Sequence, residues 1–348
     1  MNDYVSFAEY ESSEFSSFEQ ATSHEEVTLK SAAELSTIEV PERQWAWQDW
    51  LPLGTASLLG GPPGAGKSLL AQTICMAASK GLVLSGADTR LMSTLYLTCE
   101  DDEGELIRRG QAIAAGFGST LTTFHDCYLK SWVGLEDPAI CGKGFHKTQS
   151  FKTLDKWMTE CKVQLVFLDV IPDFWHGNEI IRQEVNRFVK GFLGSLAVKH
   201  NACIVGLYHP SVSGQASGEG RSGSTAWEGS VRSRLYLSGA DSAGVRKLSL
   251  KKSNYSASTG IDLKWDQGAL QLSEQSYTDP ILKDGGRQVL KGVGKELRDA
   301  LRANNGEMAL SEISNLFAKS HQPRDAIEAL QNRGLVRQAD GMLILTEV

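Results

Sequence analysis

Gly61-Pro62-Pro63-Gly64-Ala65-Gly66-Lys67-Ser68 is the stretch on which the fold turns. It fits the pattern G-x-x-x-x-G-K-[ST], a glycine-rich loop that cradles phosphates. An apolar run, Ala56–Leu59, leads in, and a helical stretch, Leu69–Ser79, leads out. Glycines let backbone N–H groups close around phosphate oxygens, and a helix N-terminus adds partial positive charge. Gly61, Pro62, Pro63, Gly64, Ala65, Gly66, Lys67, Ser68 and Leu69 are therefore the expected nucleotide-binding residues. Lys67 would reach the β and γ phosphates, and the Ser68 hydroxyl would ligate Mg²⁺. ATP and Mg²⁺ are the implied cofactors. A glycine-rich turn with an incidental lysine is the bland alternative, and the flanking strand and helix speak against it.

Outward from this loop the apolar pattern alternates. Strands are expected at Thr55–Leu59, Thr94–Cys99, Val163–Leu168 and Ala202–Leu207, with helices at Lys67–Lys80, Asp102–Phe117, Gln149–Lys162 and Glu179–His200. Near-continuous apolar strands alternating with helices predict an α/β core with a mainly parallel sheet covered on both faces. Further short strands, Arg234–Leu237, Val245–Lys251, Ile261–Trp265 and Ala269–Leu272, predict an antiparallel extension of that sheet.

Carboxylates close two of the strands. Val163-Gln164-Leu165-Val166-Phe167-Leu168-Asp169 ends in an aspartate, where ligands bind in parallel sheets, and Asp169 can hold Mg²⁺ through water. Thr94-Leu95-Tyr96-Leu97-Thr98-Cys99-Glu100 ends in a glutamate, the candidate base that orients the attacking water. Asp101, Asp102 and Glu103 follow, and their position suits capping and charging the next helix. Tyr208-His209-Pro210 closes a fourth strand, where His209 could sense the γ-phosphate. A lone histidine is more often a surface or satisfied core residue.

Across 348 residues, 41% are hydrophobic and 22% charged, which excludes wholesale disorder. The net charge is −7, a poor fit to a nucleic-acid binder at first sight. Residues 1–43, however, hold ten Asp/Glu against two Lys/Arg, so they carry −8 and leave the other 305 residues at +1. That segment reads as an acidic disordered tail. Tyr4, Phe7, Tyr10, Phe15 and Phe18 recur in it among carboxylates and could fold onto a partner. The ATPase domain is expected over 44–275, a linker over 276–287, and a winged-helix domain over 288–348. The last rests on helix candidates at 289–303, 310–318 and 323–333 and on Asp340-Gly341, a two-residue hairpin turn signal. Its would-be recognition helix balances Arg324 and Arg333 against Asp325 and Glu328, so protein contact is as well supported as duplex binding. The six cysteines show neither a C-x-x-C pair nor a zinc pattern. No signal peptide and no apolar run of the ~18 residues needed for a membrane span are evident. The expectation is a cytoplasmic protein without membrane contact.

These elements, in this order, resemble the RecA-like P-loop ATPases, and most closely the RepA-type hexameric replicative DNA helicases of plasmids and phages. The matching residues run from the phosphate loop through Leu97–Asp101, Leu168-Asp169 and His209. They continue to Ser230-Val231-Arg232-Ser233-Arg234-Leu235-Tyr236-Leu237-Ser238 and Lys251-Lys252-Ser253-Asn254-Tyr255. The resemblance covers roughly 45–275. It implies a homo-oligomeric ring, with hexamers as the expected state, in which ATP lies between subunits. Arg232 would reach the neighbour's γ-phosphate as a trans arginine, with Arg234 as the alternate and Lys252 as a second trans cation. Each also has a plain reading as a strand-end charge in solvent. Val170-Ile171-Pro172 departs from the family pattern, which commonly has Thr or Ser after the aspartate.

The serine- and glycine-rich segment Ser211–Ser224, with Arg221, would track single-stranded DNA through backbone donors and hydroxyls. Residues 1–20 or the winged-helix domain could dock a replication partner. The resulting expectation is an ATP-dependent helicase or translocase of phage or plasmid replication. A RecA-like recombination or annealing ATPase and a nucleotide-switched DNA-binding regulator are the alternatives.

Overall fold

The computed structural model describes residues 29–210, 225–266 and 268–272. It also describes residues 300–301, 304, 307–310, 312–313, 327, 336–339 and 342–345. The chain divides into two compact units, Met1–Arg43 and Gln44–Val348.

In the first unit, within the segment read as tail, α1 (Ala32–Ser36) is a short capped helix with no buried residue. Its start is a capping box. The Ser31 hydroxyl accepts from Glu34 N at 3.2 Å, and the Glu34 carboxylate accepts from Ser31 N at 2.6 Å. The aromatic positions between 4 and 18 lie outside the described residues.

The second unit opens with β1 (Trp45–Trp47) and β2 (Leu51–Pro52), an antiparallel pair, and then β3 (Thr55–Gly60) runs into α2 (Lys67–Ala78). A small pair, β4 (Val83–Leu84) and β5 (Ala87–Asp88), precedes β6 (Ser93–Thr98) and α3 (Glu103–Gly116). There follow β7 (Cys127–Ser131), α4 (Gln149–Glu160) and β8 (Val163–Asp169). The helix expected over 179–200 is divided. It begins as α5 (Arg182–Arg187), widens into a π turn at Phe188–Leu193, and ends as α6 (Gly194–Lys199). Its start is later than expected because local polar groups occupy the backbone before it. Asn178 N donates to the Glu184 carboxylate, and Asn178 Oδ1 accepts from Ile180 N. The wide turn buries Phe188, Val189, Phe192 and Leu193 together.

Then come β9 (Cys203–Tyr208), α7 (Thr225–Ser230), β10 (Ser233–Leu237), β11 (Val245–Ser253), β12 (Gly260–Asp266) and β13 (Ala269–Leu272). Among the described residues these build a nine-stranded sheet in the order β13-β12-β11-β10-β3-β9-β8-β6-β7. From β10 to β7 all neighbours are parallel, and β11 to β13 extend the sheet antiparallel. One face packs Leu59, Leu235 and Phe167 against α2 and α3. The other packs Leu58, Val166 and Leu168 against α4, α5 and α6. Burial on both faces explains the continuous apolar strands. Strand β7 escaped the sequence reading because it is the sheet edge: none of its residues is fully buried.

A separate three-stranded sheet forms from β14 (Glu307–Ala309), β15 (Val336–Ala339) and β16 (Met342–Leu345), with β16 central. Ala339 faces Met342, so β15 and β16 pair as neighbours in chain order, and Asp340-Gly341 between them lies outside the described residues. The helix candidates around it lie largely outside the described residues, the segment 323–333 almost wholly so. No helix among the described residues is long and apolar enough to cross a membrane.

Candidate nucleotide site

Parallel register assembles the site. Gly60 faces Tyr208, and Thr98 faces Asp169, so β3, β9, β8 and β6 all end on one edge of the sheet. The phosphate loop, Glu100, Asp169 and His209 follow those ends directly, at the position where such sheets bind ligands. Gly66 caps α2 with φ +92°, a left-handed conformation that a side chain would strain. At Gly61 a Cβ would sit 2.5 Å from the Leu237 carbonyl oxygen, so the loop's entry also requires glycine.

Lys67 is only 6% exposed. Its Nζ donates to the carbonyls of Gly61 (2.9 Å) and Pro62 (3.2 Å) and lies 3.2 Å from His209 Nδ1. Burial lowers the Lys67 pKa, while Asp169 and Glu100 pull it back up. His209 is held below its ordinary value by burial and then by the Lys67 charge. An imidazole kept neutral is the form that can accept from an ammonium, so the pair is electrostatically consistent.

Asp169 is fully buried at the end of β8. One carboxylate oxygen, Oδ2, accepts from the Tyr96 hydroxyl at 2.5 Å. The other, Oδ1, is buried without a hydrogen-bond partner. Burial raises the Asp169 pKa, opposed by the hydroxyls of Ser68 and Tyr96 and by Lys67. An orphaned buried carboxylate oxygen beside a loop serine fits a cation better than a solvent-facing cap. Ser68 and Asp169 would hold Mg²⁺, which supplies charge neutralisation of the phosphates when bound. Among the described residues no group of three or more His, Cys, Asp or Glu side chains makes a metal centre. Magnesium suits such a site, since it takes one or two protein carboxylates and completes its shell from phosphates and water.

Glu100 lies two residues past β6 with its side chain exposed. Its pKa is raised, first by partial desolvation of the carboxyl against the sheet end and then by Asp169, Asp173 and Asp101. Its backbone is fixed by neighbours. Thr98 Oγ1 accepts from the N–H groups of Glu100 (3.1 Å) and Asp101 (3.4 Å), and Ser131 Oγ donates to the Asp101 carbonyl. Asp101 pairs with Arg109 at 2.8 Å, and Arg109 also donates to Gln72 on α2. Asp102 caps α3 by accepting from Glu105 N at 2.7 Å, and Glu103 pairs with Lys130. Of the four consecutive acidic side chains, only Glu100 makes no ion pair or cap contact among the described residues. After Asp169, Val170 and Ile171 are buried apolar residues leading into a 3₁₀ turn, Ile171–Phe174.

The arginine and lysine candidates lie elsewhere. Ser233 of β10 faces Ser57, so Arg232 sits beside the start of β3, with its N–H on the Ala56 carbonyl. From Ala56 to Gly61 the strand advances about 17 Å at ~3.3 Å per residue. That separation exceeds the length of an arginine side chain, so Arg232 cannot reach the phosphate loop of its own chain. Its side chain is exposed. Arg234 is 4% exposed and turned inward, donating to the Glu228 carboxylate (3.3 Å) and the Tyr208 hydroxyl (3.3 Å). It is therefore engaged within its own chain, whereas the Arg232 side chain is exposed. A register shift between Arg234 and Leu235 brings Lys252 to the Arg234 side, where its Nζ donates to the Glu228 carbonyl at 2.6 Å. Burial and the two arginines lower the Lys252 pKa. Ser211–Ser224, including Arg221, lies outside the described residues.

A family model described as an AAA domain matches residues 22–215, more than half of the chain. The chain belongs to the AAA domain family. A solved structure of the RadB recombinase is similar over 65% of this chain and 93% of that one, at 16% identity and a TM-score of 0.48. No curated protein matches the sequence. An AAA domain is an ATPase domain, and the family implies ATP with Mg²⁺.

Three residues of the AAA domain's site escaped the sequence reading. Tyr96 looks like one more apolar strand residue, and nothing local marks its hydroxyl as the partner of a carboxylate 73 positions away. Arg109 reads as helix surface, yet it orients Asp101 beside Glu100. Asp173, half-buried, adds a third carboxylate near Glu100, and burial raises its pKa.

Proposed function

We propose that the chain is a ring-forming ATPase that moves on single-stranded DNA and opens duplex in phage or plasmid replication, in the manner of the RepA-type helicases. The observation that carries this reading is Arg232. It is exposed and stands at the edge of the sheet remote from its own phosphate loop. An arginine so displaced can stabilise γ-phosphate charge only on a neighbouring copy, which is the logic of a ring with shared sites. In each site Lys67 binds the β and γ phosphates, and Ser68 with Asp169 holds Mg²⁺. Glu100, whose carboxyl is held above its ordinary value, orients the water. Lys252 adds a second cation at the Arg232 edge. Single-stranded DNA would run along Ser211–Ser224, and residues 1–20 or the winged-helix domain would meet a replication partner.

A forked substrate with a single-stranded tail tests the proposal. ATP-dependent strand displacement is expected, lost in Lys67→Ala. Mixing Arg232→Ala with Lys67→Ala subunits should restore part of the ATP turnover, because each supplies what the other lacks. No recovery would remove the shared site. DNA-stimulated turnover without fork opening would instead favour a recombination or annealing ATPase. Negligible turnover with nucleotide-dependent DNA affinity would favour a switched regulator.

A further inference from the structure

The antiparallel extension of the sheet brings a cation to the phosphate loop that the readings above leave unused. Leu237 of β10 faces Leu248, so the beginning of β11 lies at the same sheet edge as Gly60 and the loop. Arg246, second residue of β11, crosses to that loop. Its Nε donates to the Ala65 carbonyl at 2.9 Å, and its Nη1 donates to the Gly244 carbonyl at 3.3 Å. Leu270 of β13, buried, stands beside Gly66 on the same side: a Cβ on Gly66 would meet its Cδ1 at 3.5 Å and Arg246 Nε at 3.9 Å.

The loop's own conformation gives this contact a consequence. Gly64 and Gly66 flank Ala65, and both have positive φ. A segment bracketed by such glycines can rotate the Ala65–Gly66 peptide plane at little steric cost. In a trans peptide the C=O and N–H point in opposite directions from one rigid plane. Fixing the Ala65 carbonyl on Arg246 therefore fixes the Gly66 N–H pointing away from that side chain. That N–H is one of the unpaired donors at a helix N-terminus that receive a phosphate.

We propose that Arg246 is a positioning residue for nucleotide binding. By holding the Ala65 carbonyl it locks one peptide plane of the phosphate loop, so that the Gly66 N–H is preset toward the β-phosphate. Arg246 acts through that plane and does not itself touch the reacting atoms. The inference rests on nucleotide binding by the loop and not on helicase activity, so failure of fork opening leaves it standing.

The test uses the full chain with ADP and Mg²⁺, comparing wild type with Arg246→Met and Arg246→Gln. Methionine reaches as far as the arginine's Nε but donates nothing, whereas glutamine keeps a neutral N–H donor at that position. Losing one well-aligned hydrogen bond to a charged phosphate should weaken ADP binding about tenfold in Arg246→Met. Arg246→Gln should recover most of that loss. In steady-state ATP turnover the methionine protein should show a raised KM with kcat within about threefold of wild type, the pattern of lost uniform binding. ADP affinity within twofold of wild type in Arg246→Met would overturn the proposal. So would equal losses in both variants, which would make the arginine's charge, and not its grip on Ala65, the cause. A wild-type chain that binds no ADP would remove this inference and the ATPase reading together.

Discussion

Tyr96→Phe removes one oxygen atom from a fully buried ring and leaves its volume almost unchanged. The hydroxyl lost is the close partner of Asp169 Oδ2, while the Ser68 hydroxyl remains beside the same carboxylate. The folded variant would thus carry a buried aspartate that keeps the Ser68 hydroxyl but has lost the Tyr96 hydrogen bond. A hydrogen bond to a charged group contributes about 1.5–3 kcal/mol, and each pKa unit corresponds to about 1.36 kcal/mol. The expected loss of stability without nucleotide is therefore about 1.5–3 kcal/mol at pH 8, with Asp169 pushed further up.

The pH dependence has a definite sign. Burial already holds Asp169 above 3.8, so the folded wild type takes up that proton before the unfolded chain does. Its contribution to stability rises as pH falls through the raised value and levels off below 3.8. In Tyr96→Phe protonation begins at higher pH, so the gap between the two proteins is full on the alkaline side and closes on acidification. Urea unfolding of both proteins from pH 8 downward, without nucleotide, reads the gap directly. A gap below about 0.5 kcal/mol at pH 8, the size of an ordinary neutral substitution, would refute the reasoning. A gap that widens on acidification would refute it equally. Saturating Mg²⁺ and ATP should shrink the gap, because the cation replaces the lost partner.

Two further outcomes follow from the same geometry. Glu100→Gln should retain ATP binding, measured by displacement of a fluorescent nucleotide, while turnover falls about 10²–10⁴-fold, since only the proton acceptor is removed. Arg234→Ala should destabilise the fold by about 3–5 kcal/mol in urea, because Glu228 and the Tyr208 hydroxyl lose a buried cation. Mixing that variant with Lys67→Ala should restore no more turnover than Lys67→Ala does alone at equal folded concentration, in contrast to Arg232→Ala.

Much of the core was legible because its signals are local. The loop motif, the apolar runs before Asp169 and Glu100, and the Asp340-Gly341 turn each lie within a few neighbouring residues. The edge strand β7 was not, because one-sided burial blurs its pattern. Nor was the break before Arg182, where Asn178 and Glu184 redirect the backbone. Asp101, Asp102 and Glu103 look alike as helix-start charges in sequence, and only the fold shows that Asp102 caps the helix while Asp101 is held by Arg109.

The sequence by itself determined that a strand, a glycine loop and a helix would meet a phosphate, and that two other strands would end in carboxylates. Backbone chemistry and side-chain periodicity suffice for that. Only the tertiary structure decided what each charge faces. Side chains alternate with period two along a strand, so Arg232 and Arg234 are indistinguishable until register and neighbours are known. One then proves exposed and remote from its own loop, and the other is locked to Glu228 and Tyr208. Arg246 likewise becomes part of the phosphate site only because β11 runs antiparallel to β10 and returns to the loop's edge.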